Sequence, residues 1–305
     1  MTLELIIVGG GPAGLAAGIY SRRAGIDAIV IEKATAGGQI LISPLIENYP
    51  GEKSITGMEL AQKMKEHAAQ YVTINELEEV LDVKKEGDLF HVKTSKDSYE
   101  VPAMILATGA DHKKLGVPGE KQLTGRGVSY CATCDGFFFK EKDVIVVGGG
   151  NTAAIEAIYL QNLGVRTKLV HRRSLLRAEQ AYRDDIERLG IEVILDSSVV
   201  EIHGQDKVES VLLENVKTGE RKEMAIDGVF ISIGLVPQNE IAKMLGAELR
   251  DDGYVKVDDF QRTSVPGLYA AGDISGGARQ IVTSCAQGAQ AALASTEVLG
   301  KQYPF

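Results

Sequence analysis

The sequence predicts an α/β protein of two parallel-sheet domains, and three observations predict it. First, the apolar run Leu3–Val8 ends in Gly9-Gly10-Gly11, helical apolar spacing follows over Ala13–Ala24, and Ile26–Glu32 is strand-like again. Second, the same β-α-β pattern returns at Asp143–Gly150, Thr152–Leu163 and Val165–His171. Third, 305 residues, 44% of them hydrophobic, are enough for two cores, because single cores stop growing near ~250–300 residues.

The segments between and after these units are mixed. Ser54–Tyr71 reads as a helix with Met58, Ala61, Met64, Lys65 and Ala68 along one side. Glu78–Thr94 and Tyr99–Ala107 read as strands, as do shorter stretches near Tyr254–Val257 and Gly267–Ala271. Lys114–Gly119 and Gly234–Asn239 carry the Gly/Pro punctuation of linkers. A helix is expected over Ile281–Leu299, and Lys301–Phe305 as a loose tail.

Composition narrows the function classes. A net charge of −9 argues against nucleic-acid binding, which needs basic patches to release counterions. Three cysteines do not make a secreted disulfide scaffold. No apolar run approaches the ~20 residues of a membrane span, and no basic leader precedes the first strand. A cytoplasmic protein is expected.

Gly9-x-Gly11-x-x-Gly14 follows a strand and opens a helix, the arrangement of a dinucleotide site. Gly9 permits the turn, Gly11 leaves room for the pyrophosphate, and Gly14 lets helix and strand approach. Glu32 closes the second strand, about 20 residues on, where an acid binds ribose hydroxyls and repels a 2′-phosphate. This site should take an unphosphorylated adenosine. The second turn, Gly148-x-Gly150-x-x-Ala153, ends instead in His171-Arg172-Arg173, with Arg177 beyond. Guanidinium groups bind phosphate bidentately, so this site should prefer NADPH to NADH. Arg173 and Arg177 would share a face if the segment turned helical.

Cys131-Ala-Thr-Cys134-Asp135 lies just before the second unit. A structural zinc site normally needs four ligands. Here the remaining candidates are Cys285 and five histidines. Thiol–disulfide exchange needs an attacking thiolate, a resolving thiol and a group to move protons, which Asp135 could be. A buried spectator pair is the bland alternative. Cys285 alone reads as core packing.

With these motifs in place the chain resembles the low-molecular-weight thioredoxin reductases over nearly its whole length. The resemblance is carried by Gly9-Gly-Gly-Pro-Ala-Gly14, Gly37-Gly-Gln39, Glu47-Asn48-Tyr-Pro-Gly51, Gly125–Phe138, Gly148-Gly-Gly-Asn-Thr152, His171-Arg-Arg173, and Thr263–Asp273 followed by Arg279-Gln280. It implies two Rossmann-like three-layer domains: a discontinuous FAD domain (1–115 and 238–305) and an inserted NADPH domain (116–237) bearing the dithiol. It implies that FAD is held by Gly9, Gly11, Pro12, Ala13 and Gly14, by Glu32 and Lys33, and by Gly38, Gln39 and Asn48. Val80 is placed beside the adenine, and Thr108, Gly109, Gly272, Asp273, Arg279, Gln280 and Ile281 complete the set. For NADPH it implies Gly150, Asn151 and Thr152 with His171, Arg172, Arg173 and Arg177. In the family Cys134 faces the flavin, Cys131 attacks the disulfide of thioredoxin, and Phe137 and Phe138 form an apolar docking surface, although core packing would equally explain those phenylalanines. A homodimer and a rotation of the domains about the two linkers are also implied. The Tyr before Cys131 is ordinary variation. The rival reading is a relative of the same fold with another donor or acceptor, such as deazaflavin, ferredoxin or O2; the paired arginines count against it.

Overall fold

The structure, a computed structural model, describes residues 3–43 and 45–302. The chain forms two compact units, one of residues up to Asp111 together with those from Val236 onward, the other of His112–Leu235. The crossings lie ahead of the expected 115/116 and 237/238. They are marked by two short strands, Ala110–His112 and Leu235–Pro237, which pair with each other.

The first unit is built on a five-stranded sheet in the order Leu268–Ala270, Ala103–Leu106, Leu5–Val8, Ala28–Glu32, Thr73–Glu76. All its pairings are parallel. The period-two alternation of strands explains why Leu5–Val8 is apolar throughout. Leu5 and Ile7 pack toward helices Pro12–Arg23 and Ile281–Ser295, whereas Ile6 and Val8 pack toward Val83, Phe90 and Val92 of an antiparallel sheet. That second sheet is Val80–Glu86, Leu89–Thr94 and Ser98–Val101. Three layers result: helices, parallel sheet, antiparallel sheet.

The inserted unit repeats the plan. Its parallel sheet runs Glu192–Ile194, Arg166–Val170, Asp143–Val147, Gly228–Ile231, Val128–Ser129. Val144 and Val146 face helix Asn151–Asn162, while Ile145 and Val147 face the antiparallel strands Ser197–His203, Ser210–Asn215 and Arg221–Ala225. No helix among the described residues is long and apolar enough to cross a membrane.

Several expectations need correction. The long strand expected over Glu78–Thr94 is a hairpin that turns at Gly87, whose φ of 61° is left-handed. Only Val255 of the Tyr254–Val257 stretch pairs, in an isolated bridge to Leu249. The helix expected from Ser54 starts at Gly57, because Thr56 caps it in a reciprocal pair with Glu59. The last helix ends at Ser295 rather than Leu299. Lys301, expected in a loose tail, pairs with Glu4 at 2.6 Å, and residues 303–305 lie outside the described residues.

Helices Pro12–Arg23 and Ile281–Ser295 touch so closely that a Cβ on Gly288 would lie 2.0 Å from the Ala13 carbonyl oxygen. Gly288→Ala should therefore destabilise the fold by about 2 kcal/mol, the usual size of core overpacking. It should appear as a lower urea midpoint. An unchanged midpoint would contradict this packing.

Candidate functional site

The glycine turn of the first unit depends on atoms that cannot make room. A Cβ on Gly14 would fall 1.8 Å from the Gly9 carbonyl oxygen, and one on Gly9 would fall 2.3 Å from that of Ala107. A Cβ on Gly11 meets only the Gly38 Cα at 3.8 Å, so the start of helix Pro12–Arg23 is open on that side. No side chain caps that start, which leaves backbone N–H groups and the helix dipole for an anion. Glu32 sits beside the turn, accepting from the N–H of Gly10 at 2.7 Å and of Ala34 at 2.9 Å.

Residues far apart in sequence also pair within the first unit. Gly272 packs on Ala13, and its N–H donates to Gln287. Asn48 Nδ2 donates to Gln280 Oε1 at 3.1 Å, and Gln39 Nε2 to Asp111 Oδ1 at 2.5 Å. Asp273 begins a short turn ahead of helix Ile281–Ser295. Burial raises its carboxyl above the usual range, opposed by a hydrogen bond from Ser284 and by the Arg279 charge. Arg279 is exposed, with a left-handed φ of 53°. Thr108 and Gly109 hold the returning chain, through Oγ1 to the Gln238 carbonyl and from the Gln238 N–H. Lys33 is exposed, and Val80 packs half-buried against the second apolar layer.

In the inserted unit, Gly150 starts helix Asn151–Asn162 with open space where a Cβ would stand. Thr152 is exposed on the first turn. Asn151 is engaged with Glu179, donating to its carboxylate at 2.7 Å and accepting from its N–H at 2.9 Å. His171 is 6% exposed, its ring lies under Gly149, and its Nε2 has no partner. Burial, then Arg177, Arg173 and Arg172, hold its imidazole below the usual range. The segment after it does not turn helical, so Arg173 and Arg177 do not share a helical face; the next helix is Gln180–Arg188. The N–H groups of Arg177 and Ala178 are instead committed to the Gly149 carbonyl. That bond brings the basic loop onto the glycine turn. Arg172, Arg173 and Arg177 are exposed and, among the described residues, unpaired with any carboxylate.

Cys131 and Cys134 form a disulfide with Cα atoms 5.3 Å apart. Cys131 is the N-cap of the short helix Ala132–Asp135, and its Sγ lies 3.4 Å from Thr133 Oγ1. Asp135 is half-buried. Its Oδ2 accepts from Ser129 Oγ at 2.5 Å, and its Oδ1 is buried without a partner. Burial raises this carboxyl, only partly offset by Ser129. The same Ser129 Oγ accepts from the Cys131 N–H at 3.1 Å. A carboxyl raised by burial is thus joined through one hydroxyl to the Cys131 backbone. Phe137 is 64% exposed and Phe138 half-buried against its edge, whereas Phe139 packs on Phe230.

Some contributors escaped sequence reading. Tyr130 is not incidental: its hydroxyl donates to Glu120 at 2.8 Å, its ring stacks on His112, and Lys114 lies 3.8 Å above it. Glu120, 4% exposed, also accepts from the N–H groups of Leu115 and Gly116. Nothing in the spacing announces these long-range partners or Ser129. Cys285 is half-buried rather than core, and burial pushes its thiol up to about 11 beside the Tyr49 hydroxyl.

Comparison with known proteins agrees with this geometry. Residues 3–288 match the family described as "Pyridine nucleotide-disulphide oxidoreductase". The chain is 43% identical over 299 residues to a thioredoxin reductase of Treponema pallidum, covering 97% of each chain. It is 43% identical over 297 residues to one of Bacillus subtilis, covering 95% of this chain and 92% of that one. The crystal structure of thioredoxin reductase from Streptococcus pyogenes superposes with a TM-score of 0.91 at 42% identity over 98% of each chain.

After reduction, the three thiols should separate by reactivity. Iodoacetamide at pH 8 should modify Cys131 and Cys134 quickly and Cys285 slowly, because a thiol at about 11 is almost wholly protonated there. Peptide mass mapping over time checks this. Equal rates would contradict the burial of Cys285.

Proposed function

The chain belongs to the pyridine nucleotide-disulphide oxidoreductase family, and from that premise we propose that it is an NADPH-dependent, FAD-containing thioredoxin-disulfide reductase. The observation that carries the reading is the Cys131–Cys134 disulfide, with Asp135 in the helix that follows Cys131, in the same unit as an open glycine turn to which a loop with three unpaired arginines is bonded. In this reading FAD is held by the Gly9–Gly14 turn, Glu32, Gln39, Asn48 and Asp273 with the start of the last helix. The open approach at Gly11 and the half-buried Asp273 carboxyl support that fit. NADPH is held at Gly150 and the turn after it, with its 2′-phosphate on Arg172, Arg173 and Arg177. Bound together, the two would supply the electron pair that opens the Cys131–Cys134 disulfide.

The chain's own residues carry the exchange. Cys131, as thiolate, attacks one sulfur of the thioredoxin disulfide; that bond breaks and a mixed disulfide forms. Cys134 then attacks Cys131 Sγ, closing the intramolecular disulfide and releasing thioredoxin as a dithiol. Two protons are needed for the thioredoxin thiolates: Cys134 gives up one as it attacks and solvent supplies the other, and Asp135, half-buried in the same short helix, relays one proton at a time. Phe137 offers exposed apolar surface close to the pair. The resemblance supports a cytoplasmic homodimer. Electron donors lacking a 2′-phosphate leave the unpaired guanidiniums without a role.

Two variants test this assignment. Arg172→Ala with Arg173→Ala should remove most of the preference for NADPH over NADH in kcat/KM, about 10–100-fold for two charge-assisted contacts. A retained preference would refute the phosphate site. Asp135→Asn should slow thioredoxin reduction about 10²-fold. The sign with pH follows from the raised carboxyl. Proton delivery needs the acid form, so the wild-type rate falls as pH rises through the raised pKa, and Asp135→Asn should lack that limb.

A further inference from the structure

The arginine loop is held from behind by a cluster that none of the motifs contains. Asp196 lies just after strand Glu192–Ile194, in the left-handed region at φ 52°. Its N–H donates to the Arg173 carbonyl, and the Ser197 N–H donates to that of His171. Ser174 Oγ donates to Asp196 Oδ1 at 2.8 Å. Lys217 Nζ donates to Asp196 Oδ2 at 2.9 Å and to Ser174 Oγ at 2.8 Å. Lys217 comes from the turn after strand Ser210–Asn215. That turn is fixed in place, since Asn215 Oδ1 accepts from the N–H groups of Lys217 and Thr218, and the Val216 N–H donates to the Asp196 carbonyl. Three segments of the inserted unit thus converge on one carboxylate.

The charges matter as much as the bonds. Asp196 is an anion directly behind a loop whose guanidiniums pair with no carboxylate among the described residues. Left alone, its carboxylate would set an unshielded negative charge behind the loop and disfavour a phosphate dianion there. Lys217 and Ser174 occupy both its oxygens. We propose that Lys217 is a specificity-determining residue of the nucleotide site: by neutralising Asp196 it keeps the arginine loop free to bind a 2′-phosphate, while the Ser174–Asp196 hydrogen bond holds the loop in place. This rests on the 2′-phosphate reading of Arg172, Arg173 and Arg177. Lys217 holds the Asp196 carboxyl below its usual range, with Ser174 next in weight, as an effective shield requires.

A shield and a purely structural clasp behave differently under substitution. If the cluster only braced the loop, losing either charged partner would do similar damage. If Lys217 shields, Lys217→Met exposes the carboxylate and harms phosphate binding. Asp196→Asn alone would not, because the carboxamide oxygen still accepts from Ser174. The double variant would recover what Lys217→Met lost.

The experiment is titration calorimetry of the purified full-length protein with 2′,5′-ADP and with 5′-AMP, which differ by the 2′-phosphate. The unaltered protein should prefer 2′,5′-ADP. Lys217→Met should cut that preference about fivefold, the upper range for an exposed pair. Asp196→Asn and Lys217→Met/Asp196→Asn should stay within about twofold of the unaltered protein. In steady-state kinetics the loss in Lys217→Met should fall on KM for NADPH rather than on kcat. An undiminished preference in Lys217→Met, or a double variant as poor as Lys217→Met, would overturn the shielding role. Absence of any preference in the unaltered protein would instead refute the phosphate reading, and the proposal with it.

Discussion

Close approach of a helix to a strand across a glycine is the constraint on which both units rest. In the first, Gly14 lies where a Cβ would overlap the Gly9 carbonyl oxygen at 1.8 Å. In the second, a Cβ on Gly148 would stand 2.4 Å from the Ser232 carbonyl oxygen and 2.5 Å from the Ala153 Cβ. The turn glycine there makes the room that lets alanine occupy the third motif position. The same approach aims an uncapped helix start at open space beyond Gly11 and Gly150. What differs is the charge waiting at the end of the next strand. Glu32 is tied to its own glycine turn, and the arginines are tied to theirs only by backbone, which leaves their side chains free. One backbone solution therefore serves two opposite recognition problems.

The dithiol is built on a different principle. Its neighbours are chosen for burial and proton supply rather than for charge attraction. Asp135 keeps one carboxylate oxygen buried and unpartnered, a costly arrangement in a structural residue and a useful one in a group that must hold and release a proton. Ser129 links it to Cys131, and Tyr130 ties the adjoining strand to Glu120, which in turn holds the segment where the chain enters the inserted unit. The loop that bears the chemistry is thus braced by residues far from the Cys-x-x-Cys motif.

Much of the fold was legible because parallel strands buried on both faces read as unbroken apolar runs, and each is bounded by a glycine turn. Leu5–Val8 and Asp143–Val147 are of this kind. The hairpin around Gly87 does carry a local turn signal, Glu86-Gly87-Asp88, but the apolar residues Val83, Phe90 and Val92 on either side let the stretch read as one strand. The conformation of the arginine segment stays open in the sequence, because nothing local reveals that Arg177 and Ala178 give their N–H groups to Gly149. The family motifs named the glycines, the cysteines and the arginines. They did not name Ser129, Glu120, Asp196 or Lys217, whose partners lie up to 43 residues away along the chain and are chosen by tertiary contact alone. Charge and hydrogen-bond partners of that kind become visible only when the chain is folded.

The Cys131–Cys134 pair is the proposed route from nucleotide to protein disulfide. The most direct measurement follows NADPH oxidation by the purified protein with oxidised thioredoxin present, alongside the visible spectrum, for the natural chain and for Cys131→Ser. Both proteins should be yellow and bleached by NADPH, with thioredoxin reduction in the natural chain alone. Thioredoxin reduction that persists in Cys131→Ser, or a colourless natural protein, would contradict that route.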